Sequence, residues 1–161
     1  MTETGTKTYA VVASPKPTTL VVHCSDPRFQ IAFRKFIEDE LHLQDGEYVP
    51  VVIRGGAAGF SHPERLPKDF AFLVGRIESL LERFGEIRQI VLINHEDCGF
   101  YHTLTDRVTG GREHEEQMLH DLGNLPGIFT RLLSQFGLNV RVYYARFADE
   151  KRTQVTFDNP G

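Results

Sequence analysis

The chain has 161 residues, 40% of them hydrophobic and 25% charged, with a formal charge of -4 at pH 7. That length suits one domain able to bury a real core, and the mildly acidic balance gives no reason to expect a nucleic-acid or anionic-membrane partner. No apolar run approaches the ~20 residues needed to cross a bilayer, and the opening "MTETGTKTYA" lacks the basic and apolar blocks of a signal peptide, so a cytoplasmic address is expected.

Residues 1–18, rich in Thr, Lys and Pro, read as an N-terminal arm, and residues 19–161 as a single domain. Thr19 to His23 is short and β-branched, as a buried parallel strand should be. A helix is expected from Pro27 to Leu41, with Asp26 as N-cap, Pro27 at the first helical position and an apolar face of Phe29, Phe33, Phe36 and Ile37. Tyr48 to Arg54 reads as a second strand, Pro50 placing it at an edge or at a strand start. A longer helix follows over Pro67 to Phe84, stopped by Gly85. Gln89 to Asn94 is the third and most apolar strand. The pattern then gives a weak helical stretch over His114 to Leu122 and a helix over Ile128 to Phe136 ending at Gly137. Asn139 to Phe147 is a fourth strand, and Thr153 to Phe157 a last, antiparallel one.

This alternation predicts a three-layer α/β fold, with a mostly parallel central sheet of four to five strands and helices on both faces. With the first strand central, the chain winds one way to the second and back the other way to the third. Ligands in such sheets bind beyond the carboxyl ends of strands, where the winding reverses. Cys24 ends the first strand, and His95 and Cys98 follow the third, about 70 residues later. All three are expected to face one crevice.

These are the chain's two cysteines. In a reducing compartment, metal binding or catalysis is a better expectation for them than a structural disulfide; the bland alternative is two buried thiols acting as small apolar side chains. Two thiols and an imidazole form a soft donor set that favours zinc, and three protein ligands leave one tetrahedral position open, as in catalytic sites. Gly99 is expected to help the loop between His95 and Cys98 turn.

"CSDPR" (Cys24 to Arg28) together with "HEDCG" (His95 to Gly99) resembles the C-x-D-x-R and H-x-x-C-G signatures of the β-class carbonic anhydrases. The likeness runs through "VVIRGGAAG" and "RQIVLINHEDCG", covers roughly residues 19 to 157, and fits a short form of the family. Departures lie close to the presumed pocket: Pro27 where Ser is frequent, Asn94 for Gly, bulky Phe100 to His102 after Gly99, and no Asn after Arg54.

The resemblance implies a lyase, a zinc-dependent carbonate dehydratase that hydrates CO2 reversibly to bicarbonate and a proton by zinc-bound hydroxide. It also implies one Zn2+ per chain on Cys24, His95 and Cys98. Asp26 and Arg28 are then the catalytic pair: Asp26, held by Arg28, accepts the nucleophile's hydrogen, or in a closed form takes the fourth position on the metal. A guanidinium suits this pairing because it binds a carboxylate as a fork. The implied assembly is a homodimer or a dimer of dimers, whose two-fold interface walls the CO2 pocket.

Rival readings are a closed zinc-binding protein of the same fold, a hydrolase of another small heterocumulene such as CS2 or COS, and a redox module in which Cys24 and Cys98 pair. Weaker site candidates are Gly55, Gly56 and Gly99, whose backbone N–H groups can meet an anion, with Gly59 in the same loop and Arg54 lining the site or anchoring a partner. The loop matches no nucleotide-binding pattern. His23 is expected to be a packed strand residue, Glu96 and Asp97 to solvate their loop, and His42, His62, His102, His114 and His120 to titrate at the surface.

Overall fold

A computed structural model describes residues 5–160; residues 1–4 of the expected arm and Gly161 lie outside the described residues. Residues 5–16 are exposed and without regular structure, though a Cβ on Gly46 would lie 2.8 Å from Val12 Cγ1, so the segment touches the rest of the chain there.

Five strands, β1 (Thr19–His23), β2 (Tyr48–Val52), β3 (Gln89–His95), β4 (Asn139–Phe147) and β5 (Val155–Asp158), form one sheet in the order β2-β1-β3-β4-β5. β1 pairs in parallel with β2 and β3, β3 with β4, and β5 closes one edge antiparallel to β4. Ile90, Val91, Leu92 and Ile93 are all 0% exposed, which explains why β3 reads as a continuous apolar run: both of its faces are covered. Pro50 lies within β2, an edge strand, where a missing N–H costs no ladder bond on the open side.

On one face α1 (Gln30–Asp39) buries Phe33, Phe36 and Ile37 against Val21, Val91 and Ile93. On the other, α2 (Pro67–Arg83) and α5 (His114–Leu132) bury stripes including Ile77, Leu81, Leu122 and Phe129 against Leu20, Val22 and Leu92. Two short helices, α3 (Gly99–His102) and α4 (Asp106–Thr109), lead from β3 to α5.

Several expected boundaries are corrected. β5 spans Val155–Asp158 and not Thr153–Phe157, because the Thr153 and Gln154 N–H groups donate to the Asp149 carboxylate in the preceding turn. α1 starts at Gln30, not Pro27, and Asp26 does not cap it; the Asp26 carboxylate instead accepts the Arg28 N–H two residues on, at 2.9 Å, in a turn that precedes the helix. β2 ends at Val52 because the chain turns into Gly55, whose φ of 85° lies in the left-handed region. β3 runs one residue further, through His95. The two stretches expected around His114–Leu122 and Ile128–Phe136 are one helix to Leu132, with Pro126 inside it, followed by a 3-10 turn at Ser134–Phe136. Pro126 and the neighbouring Gly123 and Gly127 break the local signal, but Leu122, Leu125 and Phe129 continue a single buried stripe across them, and burial outweighs propensity.

Candidate metal centre

β1 and β3 are neighbours with His23 paired to Ile93, so Cys24, one residue beyond β1, comes level with the end of β3 where His95 lies. The ladder continues past both ends: Ile53 N–H donates to the His23 carbonyl, Ser25 N–H to the Ile53 carbonyl, and Glu96 N–H to the Ala145 carbonyl. After His95 the backbone reverses at Asp97 (φ 58°) and delivers Cys98 at the start of α3. The reversal is therefore made at Asp97 and not at Gly99, where an added Cβ would meet nothing within 4 Å.

Cys24, His95 and Cys98 are 4%, 0% and 3% exposed, and their ligand atoms all lie within 4.8 Å of one another. Zinc at about 2.3 Å from sulfur and about 2.0 Å from nitrogen requires tetrahedral ligand separations of roughly 3.5–3.8 Å, which small side-chain movements reach. Among the described residues this is the one group of three or more His, Cys, Asp or Glu side chains placed to hold an ion.

The His95 ring is set for such a role. Its Nδ1 lies 2.7 Å from the Glu96 carbonyl oxygen. A carbonyl only accepts, so in the neutral ring the proton sits on Nδ1 and the lone pair on Nε2. Nε2 is buried without a hydrogen-bond partner among the described residues, a costly state unless something else satisfies it. The Phe29 ring, with its centroid 4.1 Å from that of His95, fixes the imidazole from the side.

The two thiols differ. Cys24 Sγ accepts the Gly55 N–H at 3.3 Å. Its thiol is driven well below the ordinary range, first by hydrogen bonding from Cys98 and further by the N–H groups of Gly55 and Asp26, with burial opposing. Cys98 is driven upward, because its ionisation would remove the hydrogen bond to Cys24 and, in a buried place, set a second anion beside the first. The pair thus holds one thiolate readily and a second only if a cation enters. A cation between two thiolates and an imidazole lone pair satisfies all three groups, so the residues fit zinc.

Asp26 borders this cluster, its Oδ2 4.0 Å from His95 Nε2. Arg28 grips the same carboxylate, Nη2 donating to Oδ2 at 2.8 Å and Nε to Oδ1 at 3.1 Å. The hydrogen bonds from Arg28 hold Asp26 below the usual carboxylate range. Cys24, Asp26, Arg28, Arg54, Gly99 and Phe100 line an open cavity of about 420 Å³, which reaches the cluster at Cys24.

The weaker candidates are otherwise engaged. Gly55 gives its N–H to the Cys24 sulfur and Gly56 to the Ile53 carbonyl, so neither N–H is directed at an incoming anion. Both are needed as glycine: a Cβ on Gly55 would lie 2.6 Å from the Phe100 ring, and one on Gly56 3.1 Å from Cys24 N. Gly59 permits close packing on Leu73. The Gly99 carbonyl accepts a long bond from Arg54 Nη2 at 3.4 Å, and the Arg54 guanidinium stands 5.8 Å from the Phe100 ring centroid. His23 is buried, its ring 4.4 Å from Phe33 and its Nδ1 2.9 Å from the Cys24 carbonyl, apart from the cluster.

Two features escape the sequence reading. Asp97, expected to solvate its loop, binds Arg28, His102 and Arg152 at 3.0, 2.8 and 3.1 Å. His62, expected at the surface, pairs at 2.9 Å with Asp121, which is 2% exposed and also accepts from Tyr101 and Gln117.

No protein-family model matches the sequence, and the curated proteins contain no match either. Solved structures do match. A β-carbonic anhydrase, isoform I of Trichomonas vaginalis, superposes with a TM-score of 0.57 at 17% identity over 96% of this chain and 90% of its own. The tetrameric β-carbonic anhydrases of Sordaria macrospora give 0.52 at 15% identity over 89% and 81%. The Coccomyxa β-carbonic anhydrase in complex with acetazolamide gives 0.54 at 12% over 91% and 73%. The chain has a β-carbonic anhydrase-like fold, and at the carboxyl ends of β1 and β3 it carries a Cys/His/Cys group.

Proposed function

We propose that the protein is a zinc-dependent carbonic anhydrase of the β-class type, which hydrates CO2 reversibly to bicarbonate and a proton. The observation that carries this reading is the buried Cys24, His95 and Cys98 set, whose ligand atoms lie within 4.8 Å of one another beside a carboxylate already paired with arginine. Cys24, His95 and Cys98 would hold the ion as two thiolates and a neutral imidazole. Zinc there would supply the Lewis acidity that acidifies water and so generates the nucleophile for CO2, less strongly than on an all-imidazole site because two thiolates neutralise the ion's charge.

The remaining roles fall to side chains. Asp26 Oδ2, directed toward the cluster, accepts a hydrogen bond from the nucleophile and so aims its free lone pair. Arg28 keeps Asp26 ionised and engages both of its oxygens, which supports an open site over the closed zinc-binding alternative. The Gly55 N–H stabilises the Cys24 thiolate. Arg54 and Phe100 form part of the cavity wall, Arg54 as a cationic group suited to the product anion and Phe100 as an apolar surface suited to CO2.

We further propose a homodimer or dimer of dimers, supported by the edge position of β2, with Val52 47% exposed, and by Phe72 at 52%. A species that sediments strictly as a fully active monomer removes that claim. Among the described residues no helix is long and apolar enough to cross a membrane.

The test is stopped-flow CO2 hydration at mildly alkaline pH on protein of measured zinc content, with and without acetazolamide. Zinc-dependent hydration that the sulfonamide inhibits is expected. Zinc-loaded protein without hydration activity overturns the enzymatic reading.

A further inference from the structure

The Arg28 guanidinium is shared between two acids. Its Nε and Nη2 hold Asp26, while Nη1 donates to Asp97 Oδ2 at 3.0 Å and Nη2 to the Asp97 carbonyl oxygen at 3.0 Å. Asp97 can offer both its side chain and its carbonyl to the same arginine because its φ of 58° turns the loop back on itself. The Asp97 carboxylate is itself held from two further elements: Oδ1 lies 2.8 Å from His102 Nε2 in α3, and Oδ2 accepts from Arg152 Nη1, in the turn between β4 and β5, at 3.1 Å. Asp97 lies between His95 and Cys98, so this contact ties the loop carrying two of the candidate ligands to the segment carrying the third.

Resting on the metal-centre reading above, we propose that Asp97 is a positioning residue that keeps the site open by anchoring Arg28. Asp26 Oδ2 is already only 4.0 Å from His95 Nε2. With an ion bound to His95, the neighbouring carboxylate would be within reach of it, and Arg28 is the competing cation that holds Asp26 off. An arginine side chain 44% exposed has many rotamers to lose. Asp97 confines it to the one position in which it faces Asp26. Without that anchor Arg28 drifts toward solvent, Asp26 takes the fourth ligand position, and exogenous ligands are shut out.

The test uses cobalt-substituted protein and azide, whose binding to the open position is followed in the visible spectrum of the cobalt. Asp97→Asn removes the charge while keeping a residue that tolerates positive φ. The expected result is azide affinity at least tenfold weaker than in the wild type, since apparent affinity scales with the fraction of open sites. The double variant Asp97→Asn with Asp26→Ala has no carboxylate to close the site, and its azide affinity is expected to return to that of Asp26→Ala alone. Unchanged affinity in Asp97→Asn overturns the proposal. So does a double variant that stays weak, because the loss is then general damage to the loop. Wild-type protein that takes up no cobalt overturns the metal-centre reading and this inference together.

Discussion

Asp26 Oδ2 stands 4.0 Å from the unpartnered Nε2 of His95 while Arg28 holds both oxygens of the same carboxylate. On the proposed metal-centre reading the carboxylate would have two alternative positions, one paired with Arg28 and one on the ion, and the fork geometry of the guanidinium favours the first. Lysine keeps the charge but loses the fork. Arg28→Lys is expected to lower CO2 hydration by about 10²-fold, a typical scale for losing one positioned proton-handling group, with zinc content unchanged. Parallel stopped-flow and elemental measurements check it; a variant as active as the wild type contradicts the assigned role of Arg28.

On the proposed reading metal removal should weaken the fold, because an ion held by Cys24, His95 and Cys98 would bind only their native arrangement. At free zinc 1,000-fold above its Kd the linkage is about 4 kcal/mol, or roughly 8–16 °C for a domain of this size. Calorimetry before and after chelation measures it. His95→Ala is expected to show the lower melting temperature with or without chelator.

Stability should also depend on pH through His23. Burial lowers its pKa from the ordinary histidine value, so the unfolded chain binds the proton more readily than the native one. The neutral native ring thus contributes stability in full above about pH 6.5, and that contribution is lost as pH falls through the depressed native value. Chelated protein is expected to become less stable from pH 7 toward pH 5 in urea titrations. His23→Asn, which keeps a donor near the Nδ1 position, should flatten that slope.

Gly55→Ala tests the loop that faces Cys24. The new Cβ would lie 2.6 Å from the Phe100 ring, on a residue whose φ is 85°. Left-handed backbone of this kind costs of order 1–3 kcal/mol in a non-glycine residue, and relief would pull the Gly55 N–H away from the Cys24 sulfur. A lower urea midpoint together with weaker zinc retention is expected; a change in neither sets aside the part assigned to Gly55.

The sheet was legible in the sequence because β1 and β3 are short apolar runs between helical periods; the switch in winding between them follows once β1 is central, as the strand order shows it to be. The meeting of Cys24 with His95 and Cys98 follows from that topology. Local chemistry misleads where a residue has two competing uses. Asp26 and Pro27 look like a helix start, yet the carboxylate serves Arg28, and the helix waits until Gln30. Pro126 looks like a stop, yet the buried stripe of α5 passes through it. Asp97 is the clearest case: its partners Arg28 and Arg152 are 69 and 55 residues away, and its positive φ leaves no mark in the sequence.

The central claim is that two sulfurs and one ring nitrogen hold a single zinc ion. Zinc X-ray absorption on purified protein of known metal content tests it most directly. The account predicts one zinc per chain with two sulfur neighbours at about 2.3 Å and nitrogen or oxygen neighbours at about 2.0–2.1 Å. Protein free of metal with Cys24 and Cys98 joined, or zinc surrounded by nitrogen and oxygen alone, would contradict it.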